Sequence, residues 1–328
     1  MTPRRHPQPR RQRGVAVITA LLLTTLAVAI VASLFWQQQV QVRTMENQRL
    51  QLQTKWIQRG ALDWATLVLQ GGMNPTYTSL SQPWATPLEE TRLDQYIDRE
   101  RIEGERYDAT LSGNMTDACA RYNLRNLAFG DGSIDPDQQK VFERLLTLLR
   151  MDQSLAGRIA DYVVRGEPVT VAAPDTPDPL VTKKMPREVP GTPMRFLQVD
   201  DLLSVPGVTP VMVENLRRFV TVLPARTTVN VNTAPAEVLA ALVEGMTVSE
   251  ANSLVVRRQQ AEWRSMAFFQ DAINNRTVAS NTADVKSDWF LVNSRIRLDR
   301  AALDAEALIQ RSPMLQAGGP RVWWIRQY

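Results

Sequence analysis

The residues Val15 to Trp36 form 22 consecutive positions without a formal charge, and they follow an arm with five arginines (Arg4, Arg5, Arg10, Arg11, Arg13), His6 and no acid. At about 1.5 Å per residue this run makes a helix of roughly 33 Å, enough to cross the hydrocarbon core of a bilayer. The arginines favour a cytoplasmic amino terminus and a body on the far side. Three fates fit the leader. The run is a plain signal anchor, or it is cleaved after the small-x-small sequence Ala27-Val28-Ala29, or the arm is cut away at Gly14 and the apolar helix is kept. The second is the weakest, because Ile30 to Trp36 stays apolar where a polar mature start is wanted.

Beyond Gln37-Gln38-Gln39 the chain has no proline or glycine until Gly60, and Ile57, Ala61, Trp64, Ala65 and Val68 fall at helical spacing on one apolar stripe. Gly71-Gly72 supplies a stop, so one helix is expected from Val15 to about Gln70. Residues 73–101 read as a polar connection with a short helix around Leu88–Ile97. Arg106–Leu111 and Cys119–Leu124 read as strands, joined in a hairpin through Ser112-Gly113-Asn114. Asp135 is the expected N-cap of a helix with Pro136 in its first turn, Gln138 completing a capping box, and Val141, Leu145, Leu148 and Leu149 buried. A second helix is expected over Gln153–Val164.

Gly166 to Pro193 contains seven prolines and reads as an extended loop. Phe196 to Phe219 has the form of a helix-hairpin-helix, with Leu202 to Pro210 as the hairpin. Thr233 is a candidate N-cap with Pro235 early in the following helix, and Thr247-Val248-Ser249-Glu250 opens another helix reaching about Gln260. Trp263, Phe268 and Phe269 are expected to fill a small helical core. Phe290 to Asp299 alternates between apolar and polar side chains, as a strand with one wet face does. Ala305–Ile309 is its expected partner, and Arg321–Arg326 a last aromatic strand after a turn at Gly318-Gly319-Pro320. Strands thus flank a mostly helical segment, which predicts an α+β chain with a helical domain inserted between strands.

Catalytic chemistry is hard to find. The net charge of +4 owes much to the leader arginines, so it gives no sign of a nucleic-acid partner. Cys119 is the single cysteine and His6 the single histidine, which leaves the body without a disulfide or an imidazole base. No serine has a histidine partner, and no Gly-rich phosphate loop or Cys/His metal cluster is present. Asp131 to Asp137 lacks the closing glutamate of a calcium loop. Asp200-Asp201 polarises a helix start. These features argue against an enzyme. The hairpin suggests a rival, a membrane-tethered DNA-binding module. Yet Thr209 replaces the second glycine usual in such hairpins, Pro210 removes an amide, and Arg217-Arg218 is the only close basic pair there.

Two groups of residues carry a family resemblance. The basic arm, Gly14 and the aliphatic helix starting at Val15 are similar to a type IV prepilin leader, except that Thr19 stands fifth after the cut, where a glutamate is usual. Asp117-Ala118-Cys119-Ala120-Arg121-Tyr122-Asn123-Leu124-Arg125-Asn126-Leu127 and Asn230-Val231-Asn232-Thr233-Ala234-Pro235 resemble segments of the minor pseudopilin K family of type II secretion systems, which typically lacks that glutamate. The resemblance implies a pilin-like fold, in which a long N-terminal helix packs on an antiparallel sheet and a large SAM-like helical domain is inserted between strands. It divides the chain into a leader (1–14), a transmembrane half-helix (15–36), a periplasmic half-helix (37–72), a first pilin-like part (73–127), an inserted domain (128–285, with the Pro-rich loop 166–193) and returning strands (286–328).

It further implies cleavage between Gly14 and Val15 by a prepilin peptidase, with N-methylation of Val15. The implied place is a single-pass protein of the inner membrane with a periplasmic body. The implied partners are minor pseudopilins I and J and the inner-membrane assembly platform, in a tip complex that starts a pseudopilus for export of folded proteins. Thr19 lacks the charge that would neutralise a neighbour's amino terminus, which implies a subunit that does not dock on one already in place. Family members hold calcium through a Trp-x-Asp-x-Asp pattern. Here only Asp161 and Glu167 remain nearby, with Val163 and Arg165 where oxygen ligands are wanted, so no metal or other cofactor is expected. A minor pilin of a type IV pilus is the remaining alternative, and the helical insertion argues against it.

Overall fold

A computed structural model describes residues 13–71, 74, 76–93, 109–167, 193–311 and 319–328. With no proline to interrupt it, helix α1 (Arg13–Gly71) is continuous over 59 residues, a length of about 88 Å. The apolar run is exposed throughout, as a lipid-facing segment must be. Its hydroxyls do not face lipid unpaired. Thr19 Oγ1 donates to the carbonyls of Val15 and Ala16 (3.0 Å each), and Thr24 and Thr25 do the same one turn on.

The distal half of α1 lies on a sheet, but the buried line is turned from the expected stripe. Thr54, Gln58, Ala61, Leu62, Ala65 and Leu69 are buried, Ile57 and Val68 are half-buried, and Trp64 is 45% exposed. The two alanines let the strands approach the helix closely, a place an indole would not fit. Gln58 reaches the last strand through Gln327 (2.6 Å).

Leu88–Arg92 is strand β1, where a helix was expected; pairing with the next strand outweighs its local propensity. Of the strand expected over Arg106–Leu111, residues 106–108 lie outside the described residues. Strand β2 (Ala109–Asp117) runs straight through Ser112-Gly113-Asn114, so the expected hairpin does not form. Gly113 serves close approach, not a turn: a Cβ there would collide with the Asn293 carbonyl oxygen on the neighbouring strand.

The chain then leaves the sheet. A 3₁₀ turn (Ala118–Ala120) replaces the first part of the strand expected over Cys119–Leu124, and only β3 (Tyr122–Asn123) remains extended. Cys119 is buried on that turn, and burial pushes its thiol pKa up. Helices α2 (Pro136–Leu148) and α3 (Leu155–Gly166) follow. Asp135 caps α2 through the amides of Asp137 and Gln138, but the Gln138 side chain turns to the Asn281 carbonyl and does not close a capping box. The Pro-rich loop lies outside the described residues over 168–192. The first limb of the hairpin is a 3₁₀ turn (Val199–Ser204), and the second is α4 (Pro210–Arg217).

Strand β4 (Val220–Thr221) pairs in parallel with β3. After β5 (Val229–Asn230) come α5 (Ala236–Leu242), α6 (Val248–Gln260) and α7 (Met266–Ala272), and β6 (Ala283–Asp284) pairs in parallel with β5. The Thr247–Glu250 capping box forms as expected. Thr233 does not cap α5, since Pro235 occupies the N-cap position. Trp263 and Phe269 pack edge to face in the core at 5.0 Å, while Phe268 is 60% exposed.

Strands β7 (Trp289–Leu298), β8 (Ala301–Gln310) and β9 (Arg321–Gln327) complete an antiparallel sheet of order β1-β2-β7-β8-β9. Residues 118–288 therefore lie between two strands that are neighbours in the sheet. One sheet face, with Met115, Phe290, Val292, Ala307 and Ile309, packs on Leu62, Ala65 and Leu69 of α1. On the other face Trp289, Leu291 and Leu308 pack on Ala118, Cys119 and Leu223. Gly113→Ala is expected to cost about 1–3 kcal/mol of stability by overpacking, measured by denaturant unfolding of the detergent-extracted protein; an unchanged midpoint would show that β2 and β7 have room to part.

Candidate functional site: the junction of sheet and helical body

Asp117 of one family segment meets Asn230 and Thr233 of the other where β2 ends. Asp117, the last residue of β2, is fully buried, and its carboxylate collects four donors. The Cys119 amide reaches Oδ1 (2.8 Å), and Asn230 Nδ2 (3.0 Å), Thr233 Oγ1 (2.6 Å) and Ser287 Oγ (2.5 Å) reach Oδ2. Burial raises the Asp117 pKa, and these donors oppose the rise. The hydroxyl of Thr233, two residues before the N-cap position of α5, is thus spent on Asp117.

Asn230 extends the network. Its Nδ2 also lies 3.1 Å from the Thr78 carbonyl and 2.7 Å from Ser287 Oγ, while its Oδ1 accepts from the Asn232 amide (2.9 Å). Thr78 Oγ1 accepts from the Ser287 amide (3.2 Å) and from Arg311 (2.6 Å), and Arg311 also donates to the Ser287 carbonyl (2.8 Å). The connection after α1, the end of β2, the helical body, the entry to β7 and the end of β8 meet in one buried polar cluster.

The other asparagines act as substitute backbone. Asn232 accepts from the Trp263 amide (2.9 Å) and donates to the Trp263 carbonyl (2.8 Å), as a paired strand residue would. Asn126 does the same for Thr227 (3.0 and 2.7 Å). Asn123 accepts from the amides of Leu223 and Arg125 and donates to the Ala225 carbonyl, so it ties off its own turn and also fastens a distant loop. Leu124, Leu127 and Ala234 are core residues of the helical body. Arg121 is half-buried, reaching the Arg217 carbonyl at 3.5 Å, and Pro235 turns the chain into α5.

Sequence reasoning passed over Thr78, Ser287, Arg311 and Arg125. Each is an isolated polar residue whose partners lie far along the chain, so no periodicity marks it. Arg125 is buried, donating to the Leu223 carbonyl (2.6 Å) and pairing with Glu167 (2.6 Å). Arg195 pairs with the same carboxylate at 3.3 Å. Two guanidinium groups therefore stand where a hard cation would need oxygens, and Asp161 faces solvent. Among the described residues, the groups around Glu167 are cations and not the oxygens that calcium needs.

The residues expected to act in processing and assembly are elsewhere. Gly14, Val15 and Thr19 lie in the first turns of α1, most of its length away from Asp117. In the hairpin, the Val208 amide bonds the Val205 carbonyl (3.1 Å), Thr209 caps Met212, and Arg158 donates to the Pro206 carbonyl (3.1 Å). Arg217 is held by Asp200 (2.5 Å) and Glu214 (3.2 Å). A cleft of about 740 Å³ of mixed polar and apolar lining lies between part of the second sheet face and the helical body, and its Arg217 and Arg295 are paired with Asp200 and Asp304. The site chemistry is that of fastening. Asn232→Ala leaves the buried amide and carbonyl of Trp263 without partners and is expected to cost about 2–5 kcal/mol, read by urea unfolding; wild-type stability would remove Asn232 from the fastening role.

Comparison with known proteins bears on the same segments. Two family models described as type II secretion system (T2SS), protein K match residues 120–225 and 229–290, together more than half of the chain. The type II secretion system protein K of Pectobacterium carotovorum subsp. carotovorum is 26% identical over 92% of this chain and 93% of its own length. That of Pseudomonas aeruginosa is 28% identical over 88% and 86%. A chain in the crystal structure of the GspK-GspI-GspJ complex from the enterotoxigenic Escherichia coli type 2 secretion system has the same fold, with a TM-score of 0.63 at 19% identity, over 87% of this chain and 99% of that one. The chain belongs to the type II secretion system protein K family.

Proposed function

We propose that this chain, a minor pseudopilin of a type II secretion system, forms the tip of a periplasmic pseudopilus and works by assembly, not catalysis. The observation that carries the reading is the helical body set between neighbouring strands β2 and β7 and fastened to them by the buried Asp117. A rigid mass at that place leaves no room for a subunit stacked above it, which suits a tip and not a shaft. Thr19 supports the same rank: its hydroxyl is returned to its own helix and offers no charge to a neighbour.

The similar Escherichia coli chain is part of a complex with GspI and GspJ. We extend that to minor pseudopilins I and J as the partners here, with an inner-membrane assembly platform and a prepilin peptidase acting between Gly14 and Val15. The body then lies in the periplasm, anchored by the apolar half of α1 in the inner membrane. The DNA-binding reading gains nothing from the hairpin, where the Val205 and Val208 amides, the Thr209 hydroxyl and Arg217 already have partners.

Amino-terminal sequencing of membrane-extracted protein tests the processing. A start at N-methyl-valine, residue 15, is expected; an intact Met1 or a cut after Ala29 would overturn the reading. We further propose that the body works without calcium. Isothermal titration with calcium is expected to give no heat of binding, and a site of micromolar or tighter affinity would reverse the assignment made from Glu167, Arg125 and Arg195.

A further inference from the structure

The sheet face turned toward the helical body is only partly covered. Side chains alternate along each strand, so with Met115, Val292 and Ala307 on α1, their neighbours Asn114, Asn293 and Glu306 point to the body side. Together with Arg326 of β9 they make one row across four strands. Asn114 stands opposite Asn293, Asn293 opposite Glu306, and Glu306 opposite Arg326. Three strand spacings give the row a length of roughly 14 Å. All four residues line the cleft, whose volume of about 740 Å³ lies within the ~300–1,000 Å³ usual for ligand sites.

Little in the fold occupies these groups. Asn293, Glu306 and Arg326 are half-buried, yet the side chains of Asn114, Asn293 and Glu306 have no hydrogen-bond partner among the described residues. Arg326 gives one long bond to the Leu197 carbonyl (3.4 Å) and stacks on Trp324 at 4.3 Å. From the body side, half-buried Arg121 gives a 3.5 Å bond to the Arg217 carbonyl. The Glu306 charge reaches Arg121 and opposes the fall of its pKa on burial, but the two do not come within salt-bridge distance. Arg217 and Arg295, by contrast, are held by Asp200 and Asp304. The cleft therefore sets two little-used guanidinium donors against one unused carboxylate acceptor, with two unused carboxamides beside them.

A hydroxyl group fits such a gap, because it accepts from a guanidinium and donates to a carboxylate at once. An anion would satisfy the arginines but be repelled by Glu306, and a cation would meet the reverse. Each carboxamide adds one donor and one acceptor side by side, which suits adjacent hydroxyls. The exposed Tyr328 ring, also lining the cleft, offers an apolar surface to the C–H face of a sugar. A peptide strand would seek free backbone groups, and the floor strands β2, β7 and β8 are each paired on both sides. We propose that the cleft is a binding site for a neutral glycan, held by Arg121, Asn293, Glu306 and Arg326. The inference does not depend on the place of the subunit in an assembly.

The test uses the full chain in phosphatidylcholine nanodiscs, free of glycoside detergents, with maltotriose and triacetylchitotriose as probes. Isothermal titration and saturation-transfer NMR are expected to show binding of at least one of them, at millimolar affinity or tighter. Glu306→Gln and Asn293→Ala are each expected to weaken that binding about tenfold, with the urea midpoint unchanged. If either variant shifts the midpoint, Glu306→Asp takes its place, because it keeps the charge but draws the carboxylate back by one methylene, and the same loss is expected. Three results would overturn the site: no binding of either sugar, binding that the variants retain in full, or displacement of the sugar by a neutral hexapeptide of glycine, serine and asparagine that binds more tightly. The last would make the cleft a polypeptide site.

Discussion

The buried carboxylate of Asp117 sits where the chain leaves the sheet, and five segments are arranged around it. A lone carboxylate in such a place would be costly, because burial disfavours its charged form. Here Cys119, Asn230, Thr233 and Ser287 all donate to it. The Cys119 amide is local, but Asn230, Thr233 and Ser287 come from segments that have to be in their final position before their bonds form. The carboxylate therefore acts as a checkpoint on geometry: the sheet and the helical body satisfy it only when docked in one way. Removing any donor leaves the others around an under-satisfied charge, so the cluster is held as a unit.

Around this centre the asparagines solve a second problem. A body of short helices and two-residue strands leaves many backbone amides and carbonyls with no ladder to join. Asn126 and Asn232 each offer one acceptor and one donor spaced like a peptide group, and each satisfies both polar groups of a single distant residue, Thr227 or Trp263. A glutamine would hold the amide one methylene further out, and an aspartate would lack the donor. This explains in physical terms why asparagine stands at these places.

Local features of the fold were legible in the sequence, and distant ones were not. The long α1 and the Thr247–Glu250 capping box depend on residues within a few positions of one another, and both could be read directly. Gly113 was misread as a turn because the reason for it, the approach of the Asn293 carbonyl, lies on a strand far along the chain. Leu88–Arg92 looked helical because its partner β2 was not visible from composition. Trp64 fell on the expected stripe, but the need for alanine at the sheet contact is set by the other side of the interface. In the junction, the family segments contain Asp117, Asn230 and Thr233, which bond to one another. Their partners Thr78, Ser287 and Arg311 could not be found that way, since a single serine or threonine in a loop carries no pattern.

The insertion between β2 and β7 also bears on how the chain folds. Asp117 pairs with Phe290 in the register of the two strands, yet the whole helical body separates them along the sequence. Closing a loop of that length as open chain is entropically costly, and non-local strand pairing is slow for that reason. Once the helical body has formed, its own ends bring Asp117 and Trp289 side by side, and the central pairing becomes a local event. The body that crowns the subunit is thus also the template on which its sheet closes.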